Sequence, residues 1–116
     1  VLAPYYWALH EMDVDYTVFV QLWGPPDPAT GSRVWGQDDT EPCRRGYPTS
    51  SWDQGEIVVD TLEIPISDKA PPGRYDVVMG FYHWPSLERL PVMVATGQKV
   101  FDDAVILASV RVTDRD

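Results

Sequence analysis

The sequence is poor in the residues that cross-link a chain, bind metals or meet nucleic acid. One cysteine, Cys43, stands among 116 residues, so no internal disulfide can form. An antibody-type domain pinned by a cysteine pair is thereby excluded. Two histidines, His10 and His83, leave little for a zinc site, which takes three or four Cys, His or carboxylate ligands. Basic residues are scarce: nine Lys and Arg stand against 18 Asp and Glu, for a formal net charge of −9. A chain this acidic repels phosphate, so neither nucleic acid nor an anionic membrane surface is an expected partner. No apolar run approaches the roughly 18 residues that cross a bilayer, and no signal peptide is recognisable. This segment is therefore not expected to insert into a membrane. No stretch keeps a helical apolar period, and no internal repeat or low-complexity tract occurs.

What is present is the material of one β domain. The length suits a single domain over residues 1–116, and 44% hydrophobic residues are enough for a core. Position 1 is Val, and the expectation is a domain excised from a longer polypeptide. Eleven Pro and eight Gly imply many turns between short elements. Strand-like runs are "PYYWALHEM" (4–12), "DYTVFVQLW" (15–23), "RVWGQ" (33–37), "GEIVVDTLEIPI" (55–66), "YDVVMGFYHW" (75–84), "RLPVMVAT" (89–96) and "AVILASVRVT" (104–113). In the fifth run, Tyr75, Val77, Met79 and Phe81 share one face. In the last, Ile106, Ala108, Val110 and Val112 form the expected inner face. A change of phase near Asp60 suggests a bulge. Trp7, flanked at two positions by Tyr5 and Leu9, reads as core. The expected fold is all-β, an antiparallel immunoglobulin-like β-sandwich of seven to eight strands, since no segment supplies the crossover helices of a parallel sheet.

Candidate sites gather around the tryptophans and one loop, "YPTSSWDQGE" (47–56). Ser50 and Ser51 lack a G-x-S-x-G setting or an assignable base, which argues against a serine hydrolase. Asp53 with Glu56, or Asp38 with Asp39, offers a carboxylate pair of the glycosidase type, but with 18 acidic residues such pairs arise by chance. "QDDTE" (37–41) and "FDD" (101–103) gather hard oxygen ligands without a calcium-loop pattern. No metal or other cofactor is expected. Cys43 lies beside Arg44 and Arg45, which could lower its pKa, although an incidental thiol fits the sequence as well. Trp35, Trp52 and Trp84 fall at strand ends or in loops. There they either plug the sandwich or offer flat faces to sugar rings. The candidate ligand-binding residues are Trp35, Tyr47, Trp52, Asp53 and Trp84.

Four motifs occur in order: "DYTVFVQL", "YPTSSWDQGEIVVD", "PPGRYDVVMGFY" and "ERLPV". Together they span Asp15 to Val92. In this they resemble an extracytoplasmic β-sandwich domain of bacterial multi-pass membrane proteins of the glycosyltransferase type. Two loops depart from that pattern, "EPCRRGYP" and the His83-Trp84-Pro85 turn, which leaves any shared ligand open. The resemblance implies a strand before Val1, missing from residues 1–116. It implies an extracytoplasmic position tethered through the rest of the parent polypeptide, and no catalytic residues here. It also favours reading Trp52 as an anchor of its loop, with Gly55 releasing the chain into the next strand. The expected function is thus a non-catalytic accessory or binding domain with glycan as candidate ligand. A purely structural spacer and a small carbohydrate-active hydrolase are the alternatives.

Overall fold

The computed structural model describes residues 1–93 and 103–113. They form six strands: β1 (Tyr5–Trp7), β2 (Tyr16–Trp23), β3 (Val34–Thr40), β4 (Ile57–Val59), β5 (Gly73–His83) and β6 (Val105–Val112). The one helical element lying wholly within the described residues is a single 3-10 turn, Thr49–Ser51. All pairings between the named strands are antiparallel, in a four-stranded sheet of order β3-β2-β5-β6 and a two-stranded sheet β1-β4. The two sheets share one core, in the manner of a sandwich. Val18, Val20, Leu22, Trp35, Tyr75, Val77 and Met79 of the large sheet meet Tyr6 and Val58 from the small one, with Ala8 just after β1. Leu62 and Trp52 complete it.

Period-2 alternation explains which residues enter that core. In β2, Val18, Val20 and Leu22 face inward, and in β5 Tyr75, Val77, Met79 and Phe81 do the same. The opposite face of the large sheet has its own small cluster of Phe19, Val78 and Ala104. Gly80 makes room there, because a Cβ at this position would stand 2.5 Å from the Phe19 ring.

Several expectations change. Trp7 is not core: it is 68% exposed, while Tyr6 and Ala8 point inward. Both faces of "YYWAL" are apolar, so alternation alone could not choose between them. The small sheet turns Tyr5, Trp7, Ile57 and Val59 to solvent.

There is no bulge at Asp60. The register Tyr6↔Val58 continues unbroken to Leu2↔Leu62. Asp60 simply occupies an inward position, where its Oδ2 accepts the Tyr6 hydroxyl at 3.1 Å and its Oδ1 accepts the Thr61 N–H at 2.7 Å. A buried carboxylate imitates a change of phase.

Register shifts lie instead in β3, where Leu22 faces Gly36 and Trp23 faces Val34, and in β6. Val77 faces Ala108, whereas Val78 faces Ile106. Leu107 is the extra residue, so Ile106 moves off the inner face and is 61% exposed. Six of the expected seven to eight strands lie among the described residues. The run 89–96 begins with a bridge from Arg89 to Tyr82, and its residues from 94 lie outside the described segments. Among the described residues, no helix is long and apolar enough to cross a membrane.

Candidate functional site

Two loops carry the chemistry that the sequence singled out. In the first, 47–56, the Tyr47, Thr49, Trp52 and Glu56 side chains are spent on closing the loop. Trp52 is 5% exposed, stacks on Tyr6 with centroids 5.4 Å apart, and donates its indole N–H to the Tyr47 carbonyl at 2.9 Å. The Tyr47 hydroxyl reaches both carboxylate oxygens of Glu56, at 2.8 and 2.9 Å, and the Asp53 N–H donates to Glu56 Oε1 at 2.9 Å. That hydrogen bond to a carboxylate raises the Tyr47 pKa. Thr49 is buried; its hydroxyl donates to the Val14 carbonyl at 2.7 Å and accepts the Tyr16 N–H at 3.0 Å. Gly55, at φ 84, turns the chain into β4. The loop is a clasp that ties the β1–β2 connection to the core. Trp35 is likewise buried, with its indole N–H donated to the Pro25 carbonyl at 2.8 Å.

The second loop follows β5. His83 and Glu88 close a turn through the His83 N–H and Glu88 carbonyl at 2.8 Å, and Trp84 projects from it, 67% exposed. Beside Trp84 lies a polar hollow of about 350 Å³. Asp15, Thr17, Asp39, Thr40, Glu41, Arg45 and Tyr82 complete its wall. Strand pairing assembles it: Tyr82 lies opposite Thr17 across β5–β2, and Asp39 lies opposite Phe19 across β2–β3. The Tyr82 hydroxyl donates to Asp39 Oδ2 at 3.0 Å, and burial, followed by Asp39, pushes the Tyr82 pKa up. Asp15 accepts hydrogen bonds from Ser50, which hold its carboxyl below the usual range. Arg45 reaches the hollow at the end of a run with positive φ, Cys43, Arg44 and Arg45 at 57°, 55° and 68°. Its neighbour Arg44 is occupied by a two-point pair with Asp38, at 2.7 and 3.0 Å.

Of the five candidates read from the sequence, the structure brings Tyr47, Trp52 and Asp53 together in the clasp. It places Trp35 apart in the core and Trp84 at the hollow. The partners of Trp84 were not read as one site, because they come from three separated stretches, and Asp39 and Arg45 were weighed for other roles. Their one local signal was "QDDTE", whose Asp39, Thr40 and Glu41 line the hollow. No group of three or more His, Cys, Asp or Glu residues among the described ones is placed to hold a metal. Of "FDD", Phe101 and Asp102 lie outside those residues, and Asp103 accepts the Val92 N–H through Oδ1 at 3.2 Å. Cys43 points toward the core side, its Sγ 3.4 Å from the Val59 carbonyl; burial and Asp60 raise its pKa, the reverse of activation by arginine.

Fold and hollow define a class: an all-β chain of two packed antiparallel sheets with a polar, tryptophan-rimmed depression at the end of the larger one. No family model, curated protein or solved structure matches the chain.

Proposed function

We propose that the chain is a non-catalytic binding domain of immunoglobulin-like type, which takes a neutral glycan against Trp84. The exposed Trp84 ring beside a polar hollow carries this reading. Tryptophan is highly buried on average, and an open indole face suits the apolar face of a sugar ring. The wall supplies what sugar hydroxyls need: carboxylate acceptors on Asp15, Asp39 and Glu41, a donor on Arg45, and hydroxyls on Thr17, Thr40 and Tyr82. Three carboxylates against one guanidinium disfavour a phosphorylated or uronate ligand.

The immunoglobulin-like part of the reading has two supports. The Tyr75 hydroxyl donates to the Pro71 carbonyl four residues upstream at 2.6 Å, as in a tyrosine corner. The order β3-β2-β5-β6 also follows a C′-C-F-G sheet, with β1 and β4 in the B and E positions.

The non-catalytic part rests on how the candidate groups are used. Glu56 is held by Tyr47 and Asp53 within the clasp. The one Ser–His contact among the described residues, Ser86 Oγ to His83 Nδ1 at 2.8 Å, belongs to a turn in which Ser86 also accepts the Glu88 N–H. Its position in a larger extracytoplasmic protein follows from the resemblance of the four motifs. A multi-pass region encoded upstream in the parent reading frame would support that position.

Binding is tested by titrating neutral oligosaccharides while following Trp fluorescence in the wild type and in Trp84→Ala. A saturable change that disappears in the variant is expected. No change with any glycan, or an unchanged titration in Trp84→Ala, rules the site out. Glycoside or ester turnover that depends on Asp53 or Glu56 would overturn the non-catalytic reading.

A further inference from the structure

The polar hollow beside Trp84 is far richer in hydrogen-bond acceptors than in donors. Most hydroxyl protons on its wall are already spent within the protein. The Tyr82 hydroxyl donates to Asp39 Oδ2 at 3.0 Å, and the Thr17 hydroxyl donates in turn to the Tyr82 oxygen. The Thr40 hydroxyl donates to the Glu41 carbonyl at 3.0 Å. Each of these hydroxyls can still accept a hydrogen bond but has no proton left to give. The side-chain donors that remain on the hollow are the Arg45 guanidinium and the Trp84 indole N–H, neither with a side-chain partner among the described residues.

The carboxylates, by contrast, are held and still open. Asp15 accepts the Ser50 N–H through Oδ1 at 3.0 Å, and the Ser50 side chain bonds the same carboxylate. On either side of Asp15, the Val14 carbonyl and the Tyr16 N–H are bonded to the Thr49 hydroxyl. The clasp turn, which does not line the hollow, thus fixes one of its walls. Asp39 is held on one oxygen by Tyr82. An ionised carboxylate offers about four lone-pair sites, so both keep acceptor positions free. The Glu41 carboxylate has no side-chain partner among the described residues.

We infer that the hollow selects its glycan by hydroxyl protons: it takes a sugar residue with unsubstituted hydroxyls, which donate to Asp15 and Asp39, and Ser50 and Tyr82 are the positioning residues that hold those two carboxylates. The inference rests on the Trp84 reading and adds the direction in which the hydrogen bonds run. A sugar hydroxyl carries a proton as well as lone pairs, so it can meet an acceptor-rich wall. An O-methylated or O-acylated position has no proton and leaves the carboxylate desolvated without a partner. Holding a carboxylate before the ligand arrives removes the entropy of ordering it on binding.

The test compares the methyl glycosides of glucose, galactose and mannose with their deoxy and deoxyfluoro counterparts, followed by NMR at the Trp84 indole N–H. A deoxyfluoro sugar keeps an acceptor of similar size and loses the proton. At the contacted position, deoxy and deoxyfluoro forms should both bind about tenfold more weakly than the parent, as for a lost hydrogen bond to a charged acceptor. Asp15→Asn should weaken the parent by a similar factor. It should not further weaken the deoxy sugar that lacks the hydroxyl meeting Asp15. Ser50→Ala should weaken the parent roughly threefold, leave that deoxy sugar unchanged, and be reversed in Ser50→Thr.

Deoxyfluoro sugars that bind like the parent at every position would mean that the hydroxyls accept rather than donate. That result overturns the inference and leaves the Trp84 reading standing. So does parent binding that Asp15→Asn and Ser50→Ala leave unchanged. Displacement of the parent glycoside by methylammonium at equal concentration would assign the hollow to a cation and overturn the inference as well. No shift of the Trp84 resonance with any parent glycoside overturns both readings together.

Discussion

Trp52 and Trp84 are two tryptophans in loops of similar composition with opposite fates. Each sits among Pro, Ser, Tyr and a carboxylate, in "YPTSSWDQGE" and in "FYHWPSLERL". Trp52 is buried against Tyr6 with its indole N–H satisfied by a backbone carbonyl. Trp84 stands in solvent at the rim of a polar hollow. The difference lies in what each loop must close. The first covers the end of the shared core and joins β3 to β4, so its aromatic ring has apolar surface to fill. The second is a tight turn after β5, closed by His83 and Glu88 through the backbone, and it leaves Trp84 exposed. Loop composition therefore says little about burial; the presence of an open sandwich end beneath the loop says more.

The largest expected effect breaks the clasp. Trp52→Ala removes a buried aromatic and should cost about 3 to 5 kcal/mol. At roughly 4 °C per kcal/mol for a domain of this size, its thermal melt should fall by more than about ten degrees. A melt within a degree or two of wild type would mean that the ring does not support the core.

The clasp also rests on Thr49. Thr49→Val keeps the shape but strands the Tyr16 N–H and the Val14 carbonyl, and should lose about 1 to 3 kcal/mol by denaturant titration. Thr49→Ser should recover most of the loss. If it does not, the methyl packing rather than the hydroxyl ties the loop down.

A pH experiment probes the ring beneath Trp52. Burial first, then Asp60, holds the Tyr6 pKa well above its ordinary value of 10.0. Below pH 10 the phenol is neutral in both folded and unfolded chains, and its contribution is fully present. Above it, the unfolded phenol ionises while the folded one resists, so stability falls as pH rises. The melting temperature should hold up to pH 10 and decline beyond. Tyr47, Tyr75 and Tyr82 are shifted in the same direction and add to the decline. Tyr6→Phe should flatten the alkaline slope in part; an unchanged slope would assign it to the other tyrosines.

The smallest effect on stability belongs to the second tryptophan. Trp84→Ala should change stability by under about 0.5 kcal/mol, as for other exposed positions. The pair Trp52→Ala and Trp84→Ala thus separates a residue that holds the fold from one that we propose meets a ligand. If both melt alike, the contrast between the loops fails. Acrylamide quenching gives the same contrast without heating: replacing Trp84 by Phe should remove a strongly quenched component, and replacing Trp52 by Phe a protected one.

Much of the architecture was legible in the sequence because alternation and turn chemistry are local. β2 and β5 each have a clear apolar face, and Pro and Gly mark most of their ends. The Trp52 anchor was legible through its motif. Where the reading failed, both faces were apolar or a polar residue was buried. Trp7 and Tyr6 are equally apolar neighbours, and only the Tyr6–Asp60 hydrogen bond and the Trp52 stack decide which points inward. Asp60 looked like a break in phase because a satisfied buried carboxylate cannot be told from a surface one by its identity. Ile106 was misplaced because a one-residue bulge at Leu107 moves every residue before it to the other face.

By itself, then, the sequence determined the all-β class, the run of short strands, and the exclusion of a disulfide framework, since these follow from period, composition and residue count. Tertiary structure alone decided the polar hollow and how much of the large sheet the small one covers. The hollow gathers Asp15, the pair Asp39 and Arg45, and Tyr82 from three stretches far apart in the chain, through strand register and a left-handed turn. Among the described residues two strands cover four, a mismatch of width that no local pattern encodes. Side-chain period is a property of one strand, whereas the neighbours of a face or an edge are fixed only when the sheets pack.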